Sequence, residues 1–387
     1  MQKDLFINPA MGSLKRINIQ NNQDWAFIPA PLPSKWDPST DIWPLLIEAR
    51  EELARLDGIG RHMPNHELLL SPLQHREALR SSSLEGTFAT PEQLFLYGID
   101  PKEPKSSRDP VNDWREVFNY SRALRIGQKL LDEIPFSLRF ISALHKTLLD
   151  GVRGNQKDPG NFRKSQVHIG SDRRFIPPPH TDALQCLYTL EEYLHQNNEI
   201  DPLVFCFMVH YQFETIHPFL DGNGRVGRLL LSLMIYELCD LINPWLYLSA
   251  YFDKYKDEYI DGLFRVSTSG DWSNWLSFCL RGTALQAKDA IIRFDKLVAL
   301  RDKYKQICLD RGCSIRLTEI IDRLFTTPII TIPRVADMFS ISYPTARADI
   351  HDLINTGILT ESTTQKRPKA YFASEVMDYA YSEFPID

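Results

Sequence analysis

From Pro202 to Ile216 the chain reads Pro-Leu-Val-Phe-Cys-Phe-Met-Val-His-Tyr-Gln-Phe-Glu-Thr-Ile, apolar on nearly every side at helical spacing. A helix without a polar face must be buried all round, so the fold is built about this segment. It is followed by His217-Pro-Phe-Leu-Asp221-Gly-Asn-Gly-Arg225-Val-Gly-Arg228 and then by a second apolar helical stretch, from Arg225 to Leu241. Gly222-Asn223-Gly224 has little side-chain bulk and reads as a tight loop opening that second helix, whose unpaired N–H groups can cradle a phosphate. Arg225 and Arg228 are three apart and reach one anion from the first turn. Asp221 is a hard oxygen ligand suited to Mg²⁺, and His217 is a side chain able to take a proton from a hydroxyl. Phe219 and Leu220 read as apolar pins. Gly-Asn-Gly by itself is equally a solvated turn before a basic helix start.

Taken whole, His-Pro-Phe-x-Asp-Gly-Asn-Gly-Arg-x-x-Arg resembles the signature of Fic-domain proteins at every position. The resemblance covers residues from about 30 to 290. It implies transfer of AMP from ATP to a Tyr, Thr or Ser hydroxyl of a target protein and of the enzyme itself. It also implies His217 as base, Asp221 on Mg²⁺, Gly222, Asn223 and Gly224 as anion hole, and Arg225 and Arg228 on the phosphates. ATP is then co-substrate and Mg²⁺ the cofactor. Two other readings stay open: removal of AMP or another phosphate transfer at the same site, and a DNA-binding regulator in which the core is incidental.

With 387 residues the chain is long enough for two or three domains. Its net charge of −6 argues against a general nucleic-acid coat, which depends on neutralising phosphates. The six cysteines are scattered without a Cys-x-x-Cys pair and read as reduced core residues. The N-terminus lacks the apolar run of a signal peptide, and Leu229 to Phe252 is interrupted by Glu237, Asp240 and Asn243-Pro244, so no membrane span is expected and the location is read as cytoplasmic.

Residues 1–40, with Pro29, Pro31, Pro33 and Pro38, read as an extended arm, and helices begin near Thr40. In His75 to Gly86, Leu79, Ser82, Ser83 and Gly86 fall near one helical stripe, which alone describes a helix end. Beside the Fic signature, Ser81-x-x-x-Glu85-Gly86 resembles the family's inhibitory helix, whose glutamate pairs with the second arginine, here Arg228. Residues 105–115 are a composition break, followed by helical stretches from Glu116 to about Leu131 and from Phe136 to Leu149. Val167, Ile169 and Phe175 alternate about Gly170-Ser171-Asp172 as in a small hairpin ended by Pro177 to Pro179. It is a surface hairpin or a peptide dock, and it resembles the family's flap, which implies that Val167, Ile169, Gly170 and Phe175 hold the target chain.

His210, Glu214 and His217 share a helical face but lack His-Glu-x-x-His, so His210 and Glu214 are expected as buried, hydrogen-bonded supports rather than zinc ligands. The tyrosine-rich stretch from Tyr251 to Tyr259 suits packing, and its place resembles the family's adenine wall, which points to Tyr259. After a charged helix from about Ala284 to Asp310, residues 332–372 resemble a winged helix-turn-helix. Between Arg334 and Lys369 stand five basic residues (Arg334, Arg347, Lys366, Arg367, Lys369) against four acidic (Asp337, Asp349, Asp352, Glu361). That balance suits docking to protein at least as well as DNA. The expected fold is therefore mainly α, a Fic-type helical core with a small β-hairpin flap and a C-terminal winged helix. Its parts are residues 1–112, 113–295 and 296–387, and within the last the C-terminal domain, residues 312–387, is expected to be dispensable for chemistry. A homodimer is left open, and the target protein is not named by the sequence.

Overall fold

The computed structural model describes residues 1–384 apart from 20–21, 64–65, 153–157, 171–172, 197–198 and 367–368. Ser171 and Asp172 of the expected flap turn, and Arg367, therefore lie outside the described residues. The chain opens with a hairpin of β1 (Gly12–Ile19) and β2 (Asn22–Pro29), antiparallel with Leu14 opposite Phe27. Here the structure differs from the extended arm expected of residues 1–40. Of the prolines that suggested it, Pro29 ends β2 and the others follow it, while Ala26 and Phe27 within β2 are buried.

Eleven helices make the body: α1 (Ile42–Arg61), α2 (Glu67–Leu84), α3 (Pro91–Ile99), α4 (Val111–Leu131), α5 (Leu138–Leu148), α6 (His180–Leu194), α7 (Pro202–Ile216), α8 (Asn223–Leu238), α9 (Ser249–Lys254), α10 (Lys256–Ser269) and α11 (Trp272–Asp310). Helix α7 is the axis the sequence predicts, with every residue after Pro202 buried. Asp201 caps it by accepting from the Leu203 N–H at 2.9 Å, and Pro202 sits where a missing N–H does no harm. Around it pack α6, α8, α10, α11 and β2. No helix among the described residues is long and apolar enough to cross a membrane.

Helix α11 runs for 39 residues without a break and carries the chain through the expected boundary at 295/296. Beyond it come α12 (Ile315–Thr326), β3 (Ile329–Thr331), α13 (Ile332–Phe339), α14 (Tyr343–Asn355), β4 (Thr360–Lys366), β5 (Lys369–Phe372) and α15 (Ser374–Tyr381), with strand order β3-β5-β4. This is the element order expected of a winged helix-turn-helix. It does not stand apart: α12 and α15 pack against α2, and Ser71 of α2 donates to the Thr326 carbonyl at 3.1 Å.

Buried ions tie these layers. Asp289 of α11 accepts from Arg293 Nε and Nη2 at 2.8 and 3.0 Å and lies 2.9 Å from Arg76 Nη1 of α2. Arg293 in turn donates to the carbonyls of Tyr379 and Ala380, both at 3.1 Å, while Arg76 and Arg80 reach Glu383. Within α2, Glu77 accepts from the Tyr120 hydroxyl at 2.8 Å and from Ser249 through both its hydroxyl and its N–H, at 2.5 and 3.1 Å. Asp289→Ala removes the shared counter-charge of two buried guanidiniums, an arrangement whose one-sided removal costs about 3–5 kcal/mol. We expect a lowered urea midpoint of that size, and an unchanged midpoint would show the pairs to be energetically idle.

Candidate active site

Helix α7 ends because His217 adopts a left-handed conformation, φ 50° and ψ 63°, and turns the chain into the loop that reaches α8. The loop closes on itself. Asn223 Oδ1 accepts from the Phe219 N–H at 2.8 Å, and its Nδ2 donates to the Phe219 carbonyl at 2.9 Å. Gly222, left-handed at φ 76°, is the N-cap of α8, so the first N–H groups of that helix emerge at the loop with no side-chain cap. Asp221 Oδ1 accepts from the Gly222 N–H at 2.7 Å and lies 3.8 Å from Arg225 Nη2.

Two residues without a sequence signal hold this loop. His145 of α5 stacks on Phe219 with ring centroids 3.7 Å apart. Its Nδ1 accepts from the Gly160 N–H at 2.8 Å, so its Nε2 carries the proton and donates to the Asp221 carbonyl at 3.1 Å. Arg163, buried with no carboxylate beside it, spends its guanidinium on carbonyls: His217 at 2.8 Å, Ser165 at 3.0 Å, Pro178 and Ile216. It thereby ties the loop to both roots of the flap. Such roles consist of long-range contacts to backbone, which leave no local pattern to read.

The imidazole of His217 points its Nδ1 at the Glu214 carbonyl, 3.3 Å away, an atom that only accepts. Nδ1 therefore carries the proton, and Nε2 keeps a lone pair at a residue that lines the cavity. Burial pushes its pKa down to about 4, opposed by the Glu214 carbonyl and reinforced by the Arg163 charge. The cavity itself has a volume of 520 Å³ and is bounded by α2, the flap, α7, α8 and α10.

Arg228 closes one wall. Its side chain is 3% exposed, its Nε donates to Ser81 Oγ at 2.8 Å, and its Nη2 donates to the Ser81 carbonyl at 2.9 Å and to Glu85 Oε1 at 2.8 Å. The Glu85 and Arg228 expected to pair are thus brought together, with Ser81 on the same guanidinium and Gly86 at φ 79° just past the end of α2. The Glu85 carboxylate stands over the start of α8, where a Cβ on Gly224 would lie 2.2 Å from Oε1. Burial raises the Glu85 pKa, but the charge and hydrogen bond of Arg228 outweigh it and hold the group below its ordinary value. Arg225 takes a different direction: its Nη1 donates to Glu116 of α4 at 2.7 Å, while its Nε is buried without a partner.

Tyr259 of α10 lines the cavity, stacked on Phe252 at 4.5 Å, with its hydroxyl on His210 Nε2 at 2.9 Å. His210 donates through Nδ1 to the Gly227 carbonyl at 3.2 Å, so it is the hydrogen-bonded support expected. Glu214 is not: its Oε1 is buried with no hydrogen-bond partner. The helical periodicity that put both on one face carries no information on whether a partner waits there. In the flap, Ile169 and Phe175 form a bridge, the Ile169 N–H donating to the Phe175 carbonyl at 2.9 Å. Phe175 is buried against Phe27 of β2 and Phe6, Ile169 and Gly170 line the cavity, and Val167 is half-buried. Among the described residues no group of three or more His, Cys, Asp or Glu is placed to hold a metal ion.

Residues 43–129 match the family profile "Fic/DOC family N-terminal" and residues 135–235 the profile "Fic/DOC family". The chain is 30% identical over 128 residues to the Protein adenylyltransferase Fic of Drosophila grimshawi, a stretch that is 32% of this chain and 26% of that protein. The figures for the protein of the same name from Drosophila mojavensis are 30% over 128 residues, 32% and 24%. The match thus spans about a quarter of these curated relatives. In fold the chain is similar to a Fic family protein from Desulfovibrio desulfuricans G20, with TM-score 0.55, 20% identity, and coverage of 87% of this chain and 98% of that one. It is also similar to Fic-1 (residues 134–508) of C. elegans, with TM-score 0.50, 22% identity, and coverage of 65% and 73%.

The site and its surroundings set a pH dependence. His75, His145, His210 and His217 are held neutral, foremost by burial, with pKa values pushed down to about 3, 4, 3 and 4. Their unfolded counterparts take up protons as pH falls through 6.5, so their contribution to stability is full above that value and is lost towards pH 4. Glu77 and Glu214, raised by burial, run the other way. With four groups against two, the folded state loses stability as pH falls between 6 and 5. Urea midpoints at pH 7.5, 6 and 5 measure this, and a flat profile would contradict the neutral histidines.

Proposed function

We propose, from the match of residues 135–235 to the Fic/DOC family profile, a protein adenylyltransferase, which moves AMP from ATP to a hydroxyl of a target protein and of itself. The observation that carries this reading is the meeting of His217 Nε2, the uncapped start of α8 and the buried Arg228 around one cavity. A base, an anion hole and a phosphate counter-charge are what an in-line displacement at a phosphorus needs.

In the proposed reaction the target hydroxyl oxygen bonds to the α-phosphorus, the bond from that phosphorus to its bridging oxygen breaks, and pyrophosphate leaves. The hydroxyl proton passes to His217 Nε2, a site kept vacant because Nδ1 holds its own proton for the Glu214 carbonyl. The N–H groups of Gly222, Asn223 and Gly224 face the phosphate, and the Asn223 side chain fixes their spacing by gripping Phe219. Arg228 holds the outer phosphates, with Arg225 adding charge through its unpartnered Nε. Tyr259 and the apolar side of α10 form the wall for the base, and Val167, Ile169, Gly170 and Phe175 present the target chain by β-addition. Mg²⁺ fits Asp221: a single carboxylate, one-third exposed beside the anion-binding loop, is what Mg²⁺ takes when phosphate oxygens and water complete its shell. When bound, Mg²⁺ offsets charge on the polyphosphate. Asp221 is oriented for it by the Gly222 N–H and His145.

Glu85 restrains the site in this reading, because it occupies the guanidinium that the outer phosphates need and stands over Gly224. The C-terminal module is proposed as a protein-docking unit, supported by its even charge balance. Incubation with α-labelled and, separately, γ-labelled ATP tests the reaction: label from the α position alone supports AMP transfer, and label from the γ position alone overturns it. His217→Ala keeps ATP affinity and lowers labelling about 10²–10⁴-fold. Glu85→Gly raises self-labelling and ATP affinity, and both gains vanish when Arg228→Ala is added.

A further inference from the structure

We propose that Glu214 is a nucleotide-contacting residue whose side-chain carboxyl donates a hydrogen bond to an acceptor oxygen of the nucleotide held in the cavity. This rests on the reading of that cavity as a nucleotide site.

Glu214 lies one turn before His217 on α7, is 9% exposed, and lines the cavity. Its Oε1 is fully buried and has no partner. Among the described residues the other buried acids are engaged: Asp57 by Arg61 and the Ile242 N–H, Glu77 by Tyr120 and Ser249, Glu116 by Arg225 and Thr87, Asp289 by Arg293 and Arg76, Asp349 by Arg316. A buried acid left without a partner weakens the fold, so Glu214 is not there to hold the protein together. Space is nevertheless reserved for it. A Cβ on Gly227, at the start of the second turn of α8, would lie 2.1 Å from Oε1. What is missing is an acceptor: Oε1 is packed against α8, and the rest of the carboxyl, on the residue that lines the cavity, is where one reaches it.

The charged and titratable groups around it explain why it donates. Sharing the cavity with it are Glu85 from the end of α2, Arg228 from α8, Lys256 and Tyr259 from α10, Arg174 from the flap and His217 just past its own helix, and of these Arg228 and Glu85 act on it most strongly. Burial foremost, with the Glu85 charge, pushes its pKa up to about 8 in spite of Arg228. Arg228 gives its hydrogen bonds to Ser81 and Glu85 instead. A triphosphate that displaces Glu85 brings more negative charge into the same place, so the proton stays. A protonated carboxyl presents an O–H to ribose or phosphate oxygens, both of which accept.

The test uses the full chain carrying Glu85→Gly, so that no carboxylate competes, with ATP and Mg²⁺ titrated by calorimetry and melting temperature recorded without nucleotide. Glu214→Gln keeps a donor and is expected to bind ATP within about twofold of the parent at pH 7. Glu214→Met fills the same space without a donor; it should melt higher than the parent and bind ATP about tenfold more weakly. Raising the pH from 7 to 9 should weaken ATP binding in the parent and leave Glu214→Gln unaffected. Adenosine in place of ATP locates the acceptor: an equal loss in Glu214→Met puts it on the nucleoside, no loss puts it on the phosphates. Equal ATP affinity in all three proteins overturns this proposal alone, as does a Glu214→Met that loses affinity and stability together. A Glu85→Gly parent that binds no ATP overturns the nucleotide reading itself.

Discussion

One buried cation organises this protein. Arg228 sits on the second turn of α8 with almost no exposure, and an unpaired guanidinium at that depth is strongly destabilising. Its position is fixed by the α7–loop–α8 unit, but its counter-charge is borrowed from α2, through Ser81 and Glu85. The fold and the chemistry therefore compete for one group: whatever anion enters the cavity must satisfy Arg228 at least as well as Glu85 does. Much of the architecture serves to keep the terms of that competition constant. Lys256 donates to the Leu84 carbonyl at 2.7 Å and steadies the last turn of α2, while Glu77 anchors its middle to Ser249 and Tyr120.

The parts of the site that were legible in the sequence are those whose chemistry is packed into consecutive residues. His217, Asp221 and the glycines announce themselves because base, carboxylate and loop share twelve positions between His217 and Arg228. Glu85 stands far away along the chain, and only the resemblance linked it to Arg228. His145 and Arg163 gave no sign at all, since a histidine stacked on Phe219 or an arginine bound to four carbonyls looks on paper like any other core or surface residue. The N-terminal hairpin was hidden for a different reason. Its strands alternate weakly, and prolines just beyond Pro29 dominated the local reading.

Asn223 and Arg225 have structural duties beside the ligand roles that the resemblance implies for them, in the anion hole and on the phosphates. In the fold the Asn223 side chain satisfies the backbone of Phe219, and Arg225 is held by Glu116. A tight loop has donors and acceptors of its own to satisfy before it can serve a ligand, and the side chains nearest to hand are recruited first.

Helix α11 has a mechanical corollary. At ~1.5 Å per residue its 39 residues make a rod of about 58 Å, rooted beside α7 and ending at the C-terminal module. Units joined by such a rod are not beads on a string, because there is no slack for one to drift from the other. The rod fixes where the module starts, and the contacts of α12 and α15 with α2 fix its bearing. The first place where the backbone gives way is the turn at Gly312, with φ 66°. Any swing of the module pivots there, and its arc sweeps the outer flank of the helix whose tip is Glu85.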